Sequence, residues 1–465
     1  MPRGIVVAAN RRAAEVGAGM LAAGGNAADA AVATAAALAV VDPANCGIGG
    51  YGGFAVVHRL DGPPYQVAFN ATVAKAHRDE PLAGLRFAGR KVTPPSVVGG
   101  LCALGAAFGR LSREETLAPA IALARDGFAV GPGLAGALSW ARVQHRGLND
   151  AFRETFFRDG APLASGEILR QPALADTLER IAKEGPDALR RGPLVQAIVE
   201  TVNDHGGHLA EEDFRSLDAR VAAAAVGSYG GAEVWTSDPE ECGASILMAA
   251  LAKLDGMDLG VSRSARYIDA VGEALANAWQ LRDQAFQPLS TSTSQTSHLC
   301  VCDREGMLVS MTFTHGPVWF GSGLMTRDKG ILLNCGAYLL ARRTRDGAIV
   351  AQPHLTPTIV RAGAVRYALG SPGGRHIPAI VLQAVIDLVH YRVTLEEALV
   401  APRISASAEG VLKGERAIVE AIPGRAIRCI ETSEYFGPAG ALIWGPEDVR
   451  GATDPRFPDG YVAVA

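Results

Sequence analysis

The sequence predicts an α+β fold in which apolar helices cover sheets. Three stretches carry that prediction. Residues 27–41, Ala-Ala-Asp-Ala-Ala-Val-Ala-Thr-Ala-Ala-Ala-Leu-Ala-Val-Val, have helix length but no polar face, so the helix they form must be buried against a sheet. Residues 295–314 hold two short apolar-rich runs, Leu299–Cys302 and Met307–Phe313, on either side of Asp303-Arg304-Glu305-Gly306, which reads as a β-hairpin. Residues 365–390 read as a strand, Val365–Leu369, a turn, Gly370-Ser371-Pro372-Gly373-Gly374-Arg375, and a helix, Pro378–His390. With 465 residues, 48% hydrophobic and 20% charged, the chain can bury a large core in one layered domain or in two or three. Its 54 glycines foretell tight turns and close backbone approaches.

Taken in order, Ile5–Ala9 reads as a strand and Arg11–Ala23 as a helix closed by Gly24-Gly25. Asn26 caps the helix Ala27–Val41, and Asp42-Pro43 stops it. Asn45 to Phe54 is glycine-rich and leads into a strand, Ala55–His58. Its Gly47-x-Gly49-Gly50 pattern follows a helix and precedes a strand, the wrong order for a dinucleotide fingerprint. It is read as a turn whose backbone approaches another segment, and no cofactor is expected. Residues 60–100, with Pro63-Pro64, Pro81 and Pro94-Pro95, are expected to be irregular. Ser112-x-x-Glu115 is a capping box opening a helix through Ala124, and residues 130–220 alternate helical pattern with polar turns. A strand at Gly231–Trp235 and helices at Ser245–Leu254 and Ser264–Phe286 follow. Pro288–Gln295 is a Ser/Thr-rich run, expected to be a flexible linker ending directly against Thr296. Beyond the hairpin, Gly330–Leu333 reads as a strand, and Thr394-x-x-Glu397 opens another helix.

Several function classes are excluded at this level. A net charge of -4 with no dense Lys/Arg tract argues against nucleic-acid binding. The longest apolar region, 27–41, is too short to span a bilayer. The first residues show no secretory pattern, so a cytoplasmic protein is expected. The seven cysteines, at 46, 102, 242, 300, 302, 335 and 429, are scattered and read as reduced packing residues. No His/Cys/carboxylate set has ligand spacing, and His205 and His208 lie in a polar glycine turn, so no metal is expected.

Two places could carry chemistry. If Cys302 pairs with Met307, Thr296 comes opposite Phe313 and one step from Thr314. Two hydroxyls and a histidine, His298, would then gather at the open end of the hairpin. A threonine there is either a nucleophile or an ordinary strand former. The glycine turn before Pro378 leaves backbone N–H groups at a helix start, which suits an oxyanion or simply a tight turn.

Read together, separated motifs in order resemble the γ-glutamyltransferase family of N-terminal-nucleophile hydrolases. They are Gly24-Gly25-Asn26-Ala27-Ala28-Asp29-Ala30-Ala31, Gly47-Ile48-Gly49-Gly50, Ala124-Arg125-Asp126-Gly127-Phe128, Gln295-Thr296-Ser297-His298, Gly370-Ser371-Pro372-Gly373-Gly374, Ala401-Pro402-Arg403 and Asp454-Pro455-Arg456. The resemblance runs nearly end to end. It implies a four-layer αββα sandwich in one intertwined domain, 1–465. It also implies self-cleavage at Gln295–Thr296 into a large piece, 1–295, and a small piece, 296–465, with a dimer of such pairs possible. Thr296 would be the nucleophile, Thr314 would orient its hydroxyl, and the N–H groups of Gly373 and Gly374 would hold the oxyanion. The partner is a small-molecule substrate.

The resemblance breaks at the substrate. Glutamyl enzymes clamp the glutamate α-carboxylate with an arginine where this chain has Asn70, and with a serine pair where it has Pro353-His354. They place an acidic residue near the position of Leu339 and an asparagine near His315-Gly316. A neutral Asn cannot replace a bidentate guanidinium. Arg375, directly after the glycine pair, is either a binder of a substrate carboxylate or a helix-start arginine. His315, His354 and His376 could line the same pocket. The expected activity is hydrolysis of a small carboxylate-bearing amide or acyl substrate other than glutathione. The alternatives are a genuine γ-glutamyl hydrolase or transferase, a carbon–carbon bond hydrolase of the alkylproline-antibiotic type, and an unprocessed binding protein.

Overall fold

The computed structural model describes residues 4–72, 74–77, 88–215, 217–288, 295–337, 341–344, 349–351, 353–430, 436–437, 439–446, 448–456 and 459–465. Most of the expected linker and Leu339 lie outside the described residues.

Two antiparallel sheets form the centre. Their strands, in chain order, are β1 (Ile5–Ala8), β2 (Gly52–His58), β3 (Pro64–Asn70), β4 (Arg220–Ala223), β5 (Ala225–Tyr229), β6 (Ala232–Thr236) and β7 (Gln295–Cys302), then β8 (Leu308–Gly316), β9 (Thr358–Ala362), β10 (Val365–Gly370), β11 (Gly440–Trp444), β12 (Val449–Thr453) and β13 (Tyr461–Val464). The first sheet runs β13-β1-β7-β8-β2-β3-β4 and the second β12-β11-β10-β9-β6-β5. Each sheet thus combines strands from both sides of Gln295, interleaved in the first and side by side in the second.

Alternation along the strands separates three apolar layers. Ile5, Val7, Cys300, Cys302 and Leu308 of the first sheet meet Trp235, Ile359, Ala368 and Leu442 of the second. Val6, Leu299, Val301, Val309 and Met311 point the other way, into a helical layer. That layer includes α1 (Arg11–Ala22), α2 (Ala27–Val41), α3 (Val97–Phe108), α4 (Arg113–Asp126) and α5 (Pro172–Glu184). Val234, Val360, Leu369 and Ala441 face α6 (Ala244–Leu254), α7 (Ala265–Ala285) and α8 (Ile377–Ile386). The order is helices, sheet, sheet, helices, the αββα sandwich that the resemblance implied.

Helix α2 is buried along its whole length, as its composition requires. Asn26 and Asp29 form a capping box at its start. Asp29 also accepts from the N–H groups of Arg110 and Leu111, tying α2 to the start of α4. The helix N-terminus meets the hairpin turn, because the Ala27 N–H donates to the Asp303 carboxylate at 3.0 Å.

Three local expectations are corrected. Residues 60–100 contain β3 and the start of α3, although prolines and a Gly99-Gly100 pair disguise both. Gly100 is needed because a Cβ there would collide with the Phe69 ring. Gly330–Leu333 is no strand and makes only a single bridge, Met325 with Leu332. The hairpin register is shifted by one, with Cys302 opposite Leu308 rather than Met307. The turn holds five residues, because the Asp303 N–H donates to the Met307 carbonyl while its carboxylate accepts from Glu305 and Met307.

Candidate active site

The corrected register brings the two hydroxyls closer in the sheet than the sequence suggested. Gln295 pairs with Gly316 and Ser297 with Phe313, so Thr296 alone faces both Thr314 and His315. This is a β-bulge, a device that re-aims side chains beside functional sites. The bulged strand needs Gly316, at φ +124°, where a Cβ would lie 2.7 Å from the Cys335 sulfur. The Gly316 N–H donates to the Thr314 hydroxyl at 2.8 Å, which fixes that side chain. Thr296 is 3% exposed and Thr314 is buried.

The row continues across the sheet. Thr314 pairs with Gly52, and Gly52 with Asn70. A Cβ at Gly52 would sit 2.6 Å from Asn70 Oδ1, so the glycine is what lets the Asn70 amide lean toward the threonines. Asn70 Oδ1 has no hydrogen-bond partner among the described residues. The glycine run before β2 is a close-approach segment, as expected. Gly50 abuts the Thr314 carbonyl, Gly49 the Leu332 carbonyl, and Gly47 the His315 ring.

Thr296 opens into a cavity between the sheets that is also lined by Asn45, His298, Pro372, Gly440 and Asp454. Pro372 belongs to the turn after β10. In that turn Gly373 has φ +124° and Gly374 φ +57°, and a short 3-10 helix, Gly374–His376, starts there. Among the described residues no backbone carbonyl accepts from the N–H of either glycine. The turn is held from behind, where Ser371 donates to the carbonyls of Pro372 and Gly437. Arg403 also donates to Gly437, at 2.7 Å, and pairs with Asp454 at 2.5 Å, both side chains being buried. Arg456 binds the other side of Asp454 and reaches Glu415. The Ala-Pro-Arg and Asp-Pro-Arg motifs are therefore one ion-paired buttress. Burial pushes the Arg403 guanidinium down to about 10, against the pull of Asp454.

The surroundings of the threonines carry little charge. Burial holds His298 and His315 down to about 3, so both rings are neutral near pH 7. Burial raises Asp42 to about 8, with a hydrogen bond from Asn45 opposing, and Asn45 lines the cavity. The residues expected to bind substrate fall in two groups. Asn70 and His315 lie beside the threonines. Arg375 and His354 lie instead around Trp279 of α7, with the Arg375 guanidinium 4.3 Å over the indole and the His354 ring edge-on at 5.3 Å. Neither lines the cavity at Thr296. His376 packs against Phe436. His205 hydrogen-bonds the Thr201 carbonyl and His208 lies 3.5 Å from Arg90, and among the described residues no group of side chains could hold a metal ion. Asn45 and Gly437 carry no sequence signal, whereas Thr296 and His298 share a face as expected, since residues two apart on a strand share a side.

The family model described as Gamma-glutamyltranspeptidase matches residues 13–293 and 288–464. The chain belongs to the gamma-glutamyltranspeptidase family. It is an enzyme of that family's hydrolase and acyltransferase class, which sets aside the binding-protein alternative. Among curated relatives, the glutathione hydrolase proenzyme of Escherichia coli (strain K12) is 28% identical, over 99% of this chain and 92% of that protein. The Acylase ACY 1 proenzyme of Pseudomonas sp. (strain SE83) is 29% identical, over 96% and 90%. The solved cephalosporin acylase from Bacillus halodurans superposes with a TM-score of 0.84 at 24% identity, covering 99% of this chain and 95% of that one, and it shares the fold.

Proposed function

We propose that this family member cuts itself before Thr296 and then hydrolyses a small carboxylate-bearing amide or acyl substrate other than glutathione. The observation that carries the reading is the row Thr296, Thr314, Gly52, Asn70, whose Thr296 shares a cavity with Pro372 of a turn in which, among the described residues, no backbone carbonyl accepts from the two glycine N–H groups. The row ends in a neutral amide where a guanidinium would be needed for glutamate.

The chemistry follows from the groups present. Cleavage of the Gln295–Thr296 bond gives Thr296 a free α-amino group, whose reference pKa near 8 suits a general base at neutral pH. The amine takes the hydroxyl proton as Thr296 Oγ1 attacks the acyl carbon, and Thr314 steadies that oxygen. Gly373 and Gly374 donate to the oxyanion. Collapse breaks the acyl–nitrogen bond, the ammonium returns its proton to the leaving amine, and water hydrolyses the acyl ester by the same route. Arg375, two residues past Gly373, its guanidinium pKa lowered by burial beside Trp279, supplies a cation for the substrate carboxylate. The two pieces, 1–295 and 296–465, stay associated as large and small subunits.

The test is a denaturing gel with N-terminal sequencing, followed by turnover of glutaryl-p-nitroanilide and γ-glutamyl-p-nitroanilide. Two pieces, the smaller starting at Thr296, and a preference for the glutaryl compound are expected. An intact chain, or equal use of both amides, defeats the proposal. A second reading, a genuine γ-glutamyl hydrolase, is favoured by the 28% identity to the Escherichia coli glutathione hydrolase proenzyme over 99% of this chain. It predicts the opposite preference.

A further inference from the structure

We infer that His298 is a positioning residue, a spacer between the sheets that sets the distance from Thr296 to the glycine pair of the oxyanion turn. The inference rests on the roles proposed above for Thr296, Gly373 and Gly374.

His298 sits two residues past Thr296 and faces the second sheet. Its ring is received there by two glycines that are paired in register, Gly370 at the end of β10 and Gly440 at the start of β11. A Cβ at Gly370 would lie 2.6 Å from the ring's Nδ1 and 2.8 Å from Nε2, inside any real contact. A Cβ at Gly440 would touch the ring at 3.7 Å. Gly370 is thus the position whose missing side chain lets the imidazole enter, while the contact at Gly440 is an ordinary one. Gly370 is three residues before Gly373, with no flexible segment between them, so a shift at the socket passes directly into the turn.

The ring is also fixed in rotation. Nδ1 lies 2.8 Å from the Thr312 hydroxyl and Nε2 lies 3.0 Å from the Cys300 sulfur. The Cys300 thiol in turn points at the Gly440 carbonyl, 3.7 Å away. In one proton arrangement Thr312 donates to Nδ1, Nε2 donates to sulfur and the thiol donates to Gly440, and the Met311 backbone also hydrogen-bonds the ring. A neutral imidazole is required for this, and burial keeps it neutral. A flat, doubly tethered ring, admitted by Gly370, separates the two sheets just behind the reacting groups. Nucleophile and oxyanion donors on different sheets demand such a spacer, since a misplacement of about 1 Å can cost about 100-fold in rate.

The test uses the full-length protein and whichever p-nitroanilide the unaltered enzyme turns over, with phenylboronic acid as the tetrahedral-adduct probe on Thr296. His298→Phe enlarges the spacer, Gly370→Ala pushes on it, and His298→Asn keeps an acceptor for Thr312. For the first two, kcat is expected to fall by about 10- to 100-fold with KM nearly unchanged, and the boronic acid to bind weaker by the same factor. His298→Asn, at similar thermal stability, is expected to recover part of the loss. Near-normal kcat in His298→Phe and Gly370→Ala overturns the inference. So does a loss that follows thermal stability while boronic-acid affinity is kept. Failure of the unaltered protein to cleave or to turn over either amide overturns the functional reading instead.

Discussion

The two ends of the nucleophile hairpin are built to opposite rules. At the closed end, Asp303 accepts from the N–H groups of Ala27, Glu305 and Met307, and Arg110 pairs with Glu305 just outside. The main-chain donors there are met by a carboxylate, and the turn is docked on a helix N-terminus. At the open end, the ladder is bulged at Thr296, and among the described residues Asn70 Oδ1 lacks a partner and no backbone carbonyl accepts from the N–H groups of Gly373 and Gly374. One end holds the strands in place, and the other keeps hydrogen-bonding capacity in reserve for something that arrives. The difference teaches that the hairpin's rigidity and its chemistry are supplied by separate residues, so mutations should separate them too.

The largest expected effect is at the open end. Thr296→Ala removes both cleavage before residue 296 and all turnover, leaving one folded chain on a denaturing gel. Survival of either activity breaks the contrast. Next, Gly373→Ala forces a Cβ to 2.8 Å from the Gly437 N and strains a φ of +124°, so the donor pair is displaced. The expected loss in kcat is about 100- to 1,000-fold, equivalent to about 3–4 kcal/mol of barrier. At the closed end, Asp303→Ala should lower unfolding stability in urea by about 3 kcal/mol, since buried donors lose a charged acceptor. Its kcat should stay close to that of the unaltered enzyme. A fall as deep as that of Gly373→Ala would show that the two ends are not separable.

Protonation gives a subtler test. His298 and His315 are held to about 3, and His58 and His145 to about 4, all by burial. The unfolded chain binds these protons from pH 6.5 downward and the folded chain does not, so thermal stability should fall as pH drops from 6.5 toward 4. Asp42, raised to about 8, acts the other way. It stays protonated when folded but ionises above about pH 4 when unfolded, so its contribution is lost as pH rises toward 8. Asp42→Asn should remove a fall that runs from about pH 4 to 8, flattening the limb above pH 6.5 and steepening the histidine slope below it. The smallest effect expected is a gain. Asn70→Arg should raise γ-glutamyl-p-nitroanilide turnover measurably above background, because it restores a cation to the row of the threonines.

Much of this was legible in the residues, for identifiable reasons. Helix α2 could be bounded to the residue because its cap, its nearly all-apolar composition and its Asp-Pro stop agree. The glycine run before β2 was understood as a close approach because its order excluded a phosphate loop. The hairpin was visible but its register was not. Counting could not show that the Asp303 carboxylate would draw Met307 into the turn, nor that the ladder would bulge at Thr296. Strand β3 was hidden behind Pro64, which begins an element that prolines usually interrupt. The buttress of Arg403, Asp454 and Arg456 is a matter of tertiary distance, and two charged motifs 51 residues apart say nothing of it.

The place of β7 in its sheet has one more consequence. The strand that begins at Gln295 is an inner one, laced between β1 from the chain's start and β8. A cut there separates nothing. From Leu299 onward the strand is paired along both edges, and the two pieces part only if the sheet unravels. Dilution, which dissolves ordinary pairs of subunits, would find no interface to open, because the affinity of the pieces for each other is the folding free energy of the whole.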